Sequence, residues 1–300
     1  MHRLDDWEQN VKAMRCISLV TMRLLTCLPR RLPVARSSLG LAIALQLAGC
    51  ADLSAVRTYA DDTRKLGASF AAIADTPARL CETQFLMQEQ TRDAFVAFRI
   101  EDVRSRAAAD CAPVTQERTH ILSLVALLEN YAETLAALAD EKLPNYSTEM
   151  KGLGTAVTDL KDRAGEPVVP SGKAKAVISL GNLVARLATQ RAARSEINAL
   201  LEQGEAVNAT TDALRWYASS VTRPQIDTYL QRSQITMDTA LPRFEKTEPL
   251  AVRMFAVTLL GEQGQARKLA AENDALIAWL GKHREATLGL REQFGKRTDK

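Results

Sequence analysis

Aromatic side chains and glycine are both scarce in this chain: 5% of its 300 residues are Phe, Trp or Tyr, and 14 are glycine. No stretch alternates Val, Ile or Thr with polar residues, so nothing in it reads as a half-buried strand. Histidine is scarcer still, with three in all, and His120 and His283 have no His or Cys neighbour at zinc-ligand spacing. His283 falls on an apolar helical stripe and reads as a hydrogen-bonded core residue. Neither H-E-x-x-H nor G-x-S-x-G occurs. The run "GEPVVPSGKA" fails as a phosphate loop, because Pro167 stands where the first glycine belongs and Ala174 replaces the Ser or Thr that holds magnesium. Glu129 and Glu133 lie one helical turn apart but lack the additional Glu-x-x-His of bundle metal sites, and read as a solvated face. No metal, cofactor or catalytic residue is expected from this inventory.

A surplus of one charge is missing too. The chain carries 39 Lys or Arg and 36 Asp or Glu, but seven of the basic and three of the acidic residues fall within residues 1–49, which leaves the remainder at −1. Without a basic stripe, nothing argues for a nucleic-acid partner.

What is present is concentrated first at the N-terminal end. An apolar run from Leu39 to Ala48, broken only by Gly40 and Gln46, follows Arg23, Arg30, Arg31 and Arg36, with no acidic residue after Glu8. The run is about half the roughly 20 residues that a spanning helix needs, and the order of basic then apolar segment is that of an export signal. It ends on Leu47-Ala48-Gly49-Cys50. These four residues resemble the lipobox of bacterial lipoproteins, and the resemblance covers the signal alone. It implies that the Cys50 thiol receives a diacylglyceryl group, that cleavage falls between Gly49 and Cys50, and that the new amine is acylated. One acyl chain holds a protein to a membrane only marginally, whereas three make a practically permanent anchor. Ala51 directly after the cysteine, with Asp52 one place later, favours sorting to the outer membrane, facing the periplasm. Residues 1–21 carry acids and a Trp foreign to a signal, so Met22 is the expected start. The expected organisation is a signal peptide over 1–49 and a helical domain over 50–300, with a sub-boundary near 165–172. Its partners are the membrane through acylated Cys50, the lipoprotein processing and sorting machinery, and an envelope protein that the sequence does not identify.

The rest of the chain has helical periodicity. Leu53, Val56, Tyr59, Thr63, Leu66, Phe70 and Ile73 recur at three-four spacing from just after the cysteine, with no flexible tether between. Thr76-Pro77 reads as N-cap and first turn of a second helix ending near Pro113. Ile121, Leu124, Leu128, Tyr131, Leu135 and Leu138 mark a third, closed by "KLPNYS". A short glycine-weakened helix and the loop "GEPVVPSG" come next. From Lys173 to Ser220 no proline intervenes, and one rod roughly 70 Å long is expected. Pro224, Pro242 and Pro249 then bracket a shorter helix, and a last long one runs from Pro249 to about Phe294. The fold class is therefore all-α: an elongated antiparallel bundle of about six or seven helices with a leucine and alanine core.

Once Cys16 and Cys27 leave with the signal and Cys50 is acylated, Cys81 and Cys111 remain in an oxidising compartment, where a disulfide is expected. One helix from 81 to 111 would part their Cα atoms by roughly 45 Å, whereas a bridge needs about 5 to 6 Å. The bond therefore requires a reversal, placed between Phe95 and Asp102. The densest aromatic cluster, Trp216, Tyr217 and Tyr229, admits two readings: packing at a bend made by Pro224, or an interaction surface. The functional expectation is a non-catalytic envelope lipoprotein whose helical body scaffolds or binds a partner; the alternatives are a helical module for lipids or other amphiphiles, and an enzyme with no residue to nominate.

Overall fold

The apolar stripes of the sequence become ten α-helices in a computed structural model that describes residues 37–90, 99–139, 152–189 and 196–298. They are α1 (Ser37–Ala74), α2 (Thr76–Gln90), α3 (Ile100–Ala139), α4 (Leu153–Asp159), α5 (Ser171–Thr189), α6 (Glu196–Glu202), α7 (Gly204–Trp216), α8 (Arg223–Ile235), α9 (Leu241–Phe244) and α10 (Pro249–Thr298). Among the described residues there is no strand, only an isolated bridge between Lys161 and Pro167. The protein is an all-α bundle. The chain divides into two compact units, Met1–Cys50 and Ala51–Lys300, and the second contains the bundle core.

α10, 50 residues long and hence roughly 75 Å, packs along α7 and α8 and also meets α6 and α9. α1 lies antiparallel to it, with Tyr59 beside Thr287 and Thr63 beside His283. α2 continues in the same direction, bringing Leu80 to Ala266 and Ala270 and Met87 to Leu259. Three apolar clusters consequently succeed one another along α10. The largest joins α1, α3, α5, α7 and the C-terminal half of α10 through Phe70, Leu128, Tyr131, Leu180, Leu214 and Leu280. Every member of the third stripe, from Ile121 to Leu138, is buried in it. α3 also contains a stretch long and apolar enough to cross a membrane, but its leucines form this core.

The loop at 165–172 is a connection inside one core, since Leu160 and Val157 before it and Val169, Ala174 and Val177 after it enter the same cluster. Asp162 Oδ1 accepts the backbone N–H groups of Ala164 and Glu166, both at 2.9 Å, and Gly165 supplies the left-handed residue, φ 81°, that closes the turn.

The helix boundaries correct the sequence reading at Pro113, Pro224 and Pro242, whereas the last helix does begin at Pro249. α3 passes through Pro113 instead of ending there. Pro113 and Ala109, whose carbonyl loses its donor, are both exposed, so the unpaired carbonyl lies on the solvent side of the helix, where its lost bond costs little. Likewise the chain stays helical through Pro224 and Pro242. Each proline comes after a π-type stretch, Tyr217–Thr222 or Thr236–Ala240, in which Arg223 N–H bonds Ala218 O and Leu241 N–H bonds Thr236 O, five residues back. The wider turn relieves the clash between each ring and the carbonyl four residues before it. Conversely, the proline-free rod from Lys173 to Ser220 does not exist: α5 ends at Thr189 and packs side by side with α7, so the chain reverses between them. α2 does begin at Thr76, but the Thr76 hydroxyl is buried without a partner and is not the cap; the first-turn bond runs from Arg79 N–H to Asp75 O.

Candidate functional site

Cys81 and Cys111 are bonded, with Cα atoms 5.9 Å apart. α2 and α3 form the helical hairpin that the bond requires. Beyond the bridge, Arg106 holds both carboxylate oxygens of Glu89 at 3.0 and 3.2 Å and lies over the Phe85 ring. The reversal itself, expected between Phe95 and Asp102, falls largely on residues 91–98, outside the described residues. "KLPNYS" also lies outside them, and the surroundings of Gly49 and of the Cys50 and Phe294 side chains are likewise outside what is described.

The aromatic cluster is taken up by packing. Tyr217 and Tyr229 are buried, and Trp216 packs half-buried against the main core. Tyr217 donates to Ala74 O at 3.1 Å, satisfying a carbonyl at the end of α1. Tyr229 donates to Glu262 Oε2 at 2.6 Å. Burial, then the Glu262 carboxylate, push the Tyr229 phenol well above its ordinary range. The Asn273 amide, buried on α10, donates at 2.9 Å to Ala218 O, the carbonyl at the heart of the first π-type stretch. Asn273 therefore ties α10 to the place where the helix widens.

The most polar part of the interior centres on His283. Its ring stacks on Tyr59 with centroids 5.2 Å apart, Nε2 lies 2.9 Å from Thr63 Oγ1 and Nδ1 lies 3.2 Å from Thr211 Oγ1. The two threonines are also close to their own helix carbonyls, Tyr59 O at 2.7 Å and Val207 O at 2.9 Å. Burial lowers the His283 pKa from 6.5 to about 4, so at neutral pH the ring carries one N–H. It donates to one threonine oxygen, and the other threonine must turn its proton from the carbonyl to the bare nitrogen. Tyr59 completes the group by a 2.7 Å bond to Thr287 and an edge-on contact with Tyr131.

With both nitrogens engaged and the ring covered, His283 pins α1, α7 and α10 together. The sequence picks out His283 but not its circle; the one available sign was that Thr63 and Thr211 fall on apolar stripes. Glu129 and Glu133 are half-buried instead of lining a solvated face. Glu129 lies across Gly67, where a Cβ would come within 2.5 Å of its Cγ. Among the described residues no three His, Cys, Asp or Glu side chains cluster as metal ligands would.

Compared with protein-family models, with curated proteins and with solved structures, the chain matches none.

Proposed function

We propose that this chain is a lipid-anchored protein of the bacterial cell envelope, held in the membrane through Cys50, whose helical body acts without catalysis as a scaffold or binding partner. The observation that carries the reading is Leu47-Ala48-Gly49-Cys50 at the end of a short apolar run behind four arginines, a site at which small residues admit a peptidase and the thiol supplies the nucleophile for lipid transfer. The Cys81–Cys111 bond supports it, because structural disulfides persist in oxidising compartments such as the periplasm. Ala51 in place of an acidic residue after the cysteine favours the outer membrane. The interior polar groups support a structural role, since His283, Tyr217, Tyr229 and Asn273 each hold one helix to another.

Growing cells on a clickable fatty acid tests the proposal. The chain should take up label, and Cys50→Ala should lose the label and accumulate as a longer precursor. A Cys50→Ala variant that is labelled and processed like the wild type overturns it.

A further inference from the structure

α10 carries two apolar faces. The inner one, from Leu259 through Ala266, Ala270, Leu276 and Leu280 to Leu290, is buried in the bundle. The outer one runs Leu250, Met254, Val257, Gly261, Gly264, Lys268, Ala271, Ala275 and Ala278, alternating steps of four and three, and every member is exposed. Leu250, Met254 and Val257 show 71%, 65% and 70% of their surface. A 3.5-residue repeat is the spacing of a seam that meets a second helix, not of a helix face left to water. Gly261 and Gly264 add an independent sign. Glycine is the poorest helix former apart from proline, yet a methyl group on either would meet no atom within 4 Å, so packing inside this chain does not require them. Outward glycines in mid-seam let another helix approach closely.

We infer that this face pairs with α10 of a second copy, antiparallel, about a two-fold axis between Gly261 and Gly264. The sequence of the seam selects this occupant. In that register Gly261 meets Gly264 of the second copy, Met254 meets Ala271 and Leu250 meets Ala275, so each large side chain faces a small one. Val257 meets Lys268, whose aliphatic stem covers it while the ammonium stays in water. On the flanks Arg253 meets Asp274, whose carboxylate also pairs with Arg223 of its own chain, twice by symmetry, and Thr258 meets Gln265; no like charges face each other. A parallel pair would set Lys268 against Lys268 and stack glycine on glycine beside valine on valine, with no large-to-small fit. The seam spans roughly 40 Å of helix, and with its flanks it buries on the order of 1,200 Å² in total, at the lower edge of stable interfaces. The two-fold places Thr287, and with it the start of each body at Tyr59, roughly 70 Å apart in the pair at 1.5 Å per residue. This inference stands independently of lipidation.

Native mass spectrometry of the mature protein, released from mild detergent, counts the copies directly. The wild type should give twice the protomer mass. Gly261→Leu should give a single protomer and, because a better helix former replaces an exposed glycine, a melting temperature no lower than that of the wild type. Oxidising an Arg253→Cys/Asp274→Cys double variant should convert most of the protein to a covalent dimer, while Arg253→Cys alone should give at least tenfold less. A monomeric wild type overturns the inference, as does a Gly261→Leu variant that still pairs, or equal cross-linking by Arg253→Cys alone, which would mean pairing in another register. A monomeric wild type whose binding to phosphatidylethanolamine and phosphatidylglycerol vesicles is lost on Val257→Glu overturns it in favour of a lipid surface.

Discussion

His283 shows how a buried titratable group ties stability to pH. Its folded pKa of about 4 lies below the unfolded value of 6.5, so the unfolded chain binds the proton first. Stability is unaffected above about pH 7, falls as pH drops from 6.5 to 4, and levels off below about pH 4, where folded and unfolded states are both protonated, for a total loss on the order of 3 kcal/mol. Urea unfolding between pH 7 and pH 4 should therefore show a shallower loss in His283→Gln than in wild type, the difference isolating this group from the carboxylates; identical slopes would mean that the ring is already hydrated. Gly67 makes the opposite kind of point. Alanine is the better helix former, yet Gly67→Ala should lower stability by about 1 to 3 kcal/mol, because its methyl group displaces the Glu129 stem that lies across the glycine. A chemical-denaturation midpoint at or above wild type would contradict that contact.

At the scale of elements, the α2–α3 hairpin is tied by the Cys81–Cys111 bond and by the Arg106–Glu89 pair. The loop that the bond closes, with a sequence separation of 30, is worth roughly 3 to 4 kcal/mol in the chain-entropy account. Cys81→Ser/Cys111→Ser should thus raise hydrogen exchange across residues 76–115 while α10 between Leu276 and Leu290 stays protected. Uniform loss of protection would show the hairpin and the main core to be one cooperative unit. The hairpin was legible in the sequence, because two thiols 30 residues apart cannot be bonded along one helix. So were the stripes that became α1, α3 and α10. The helix ends were not legible at Pro113, Pro224 and Pro242, because proline stops a helix only when its lost bond and ring clash find no relief. Here exposure relieves the first and π-type turns the other two. The reversal between α5 and α7 carried no glycine or proline to announce it; it is imposed by the side-by-side packing of two apolar faces. The circle of threonines around His283 was illegible for a related reason. It assembles from helices far apart in sequence, Thr63 and His283 being separated by 220 positions.

For the whole molecule, the body gains its stability by length. Three apolar clusters laid in series along α10 are filled largely by leucine and alanine, and small side chains permit close helix approach while burying modest area each. Such a body offers long exposed faces, which the scaffold role proposed above would use. The attachment at Cys50 is the central element of the proposed role. Intact-mass and N-terminal peptide analysis of the protein purified from the membrane fraction reads it directly. The predicted result is a chain that begins at Cys50 and carries a diacylglyceryl group on its sulfur and an acyl group on its amine; a chain that begins elsewhere, or one with an unmodified Cys50 thiol, would contradict it.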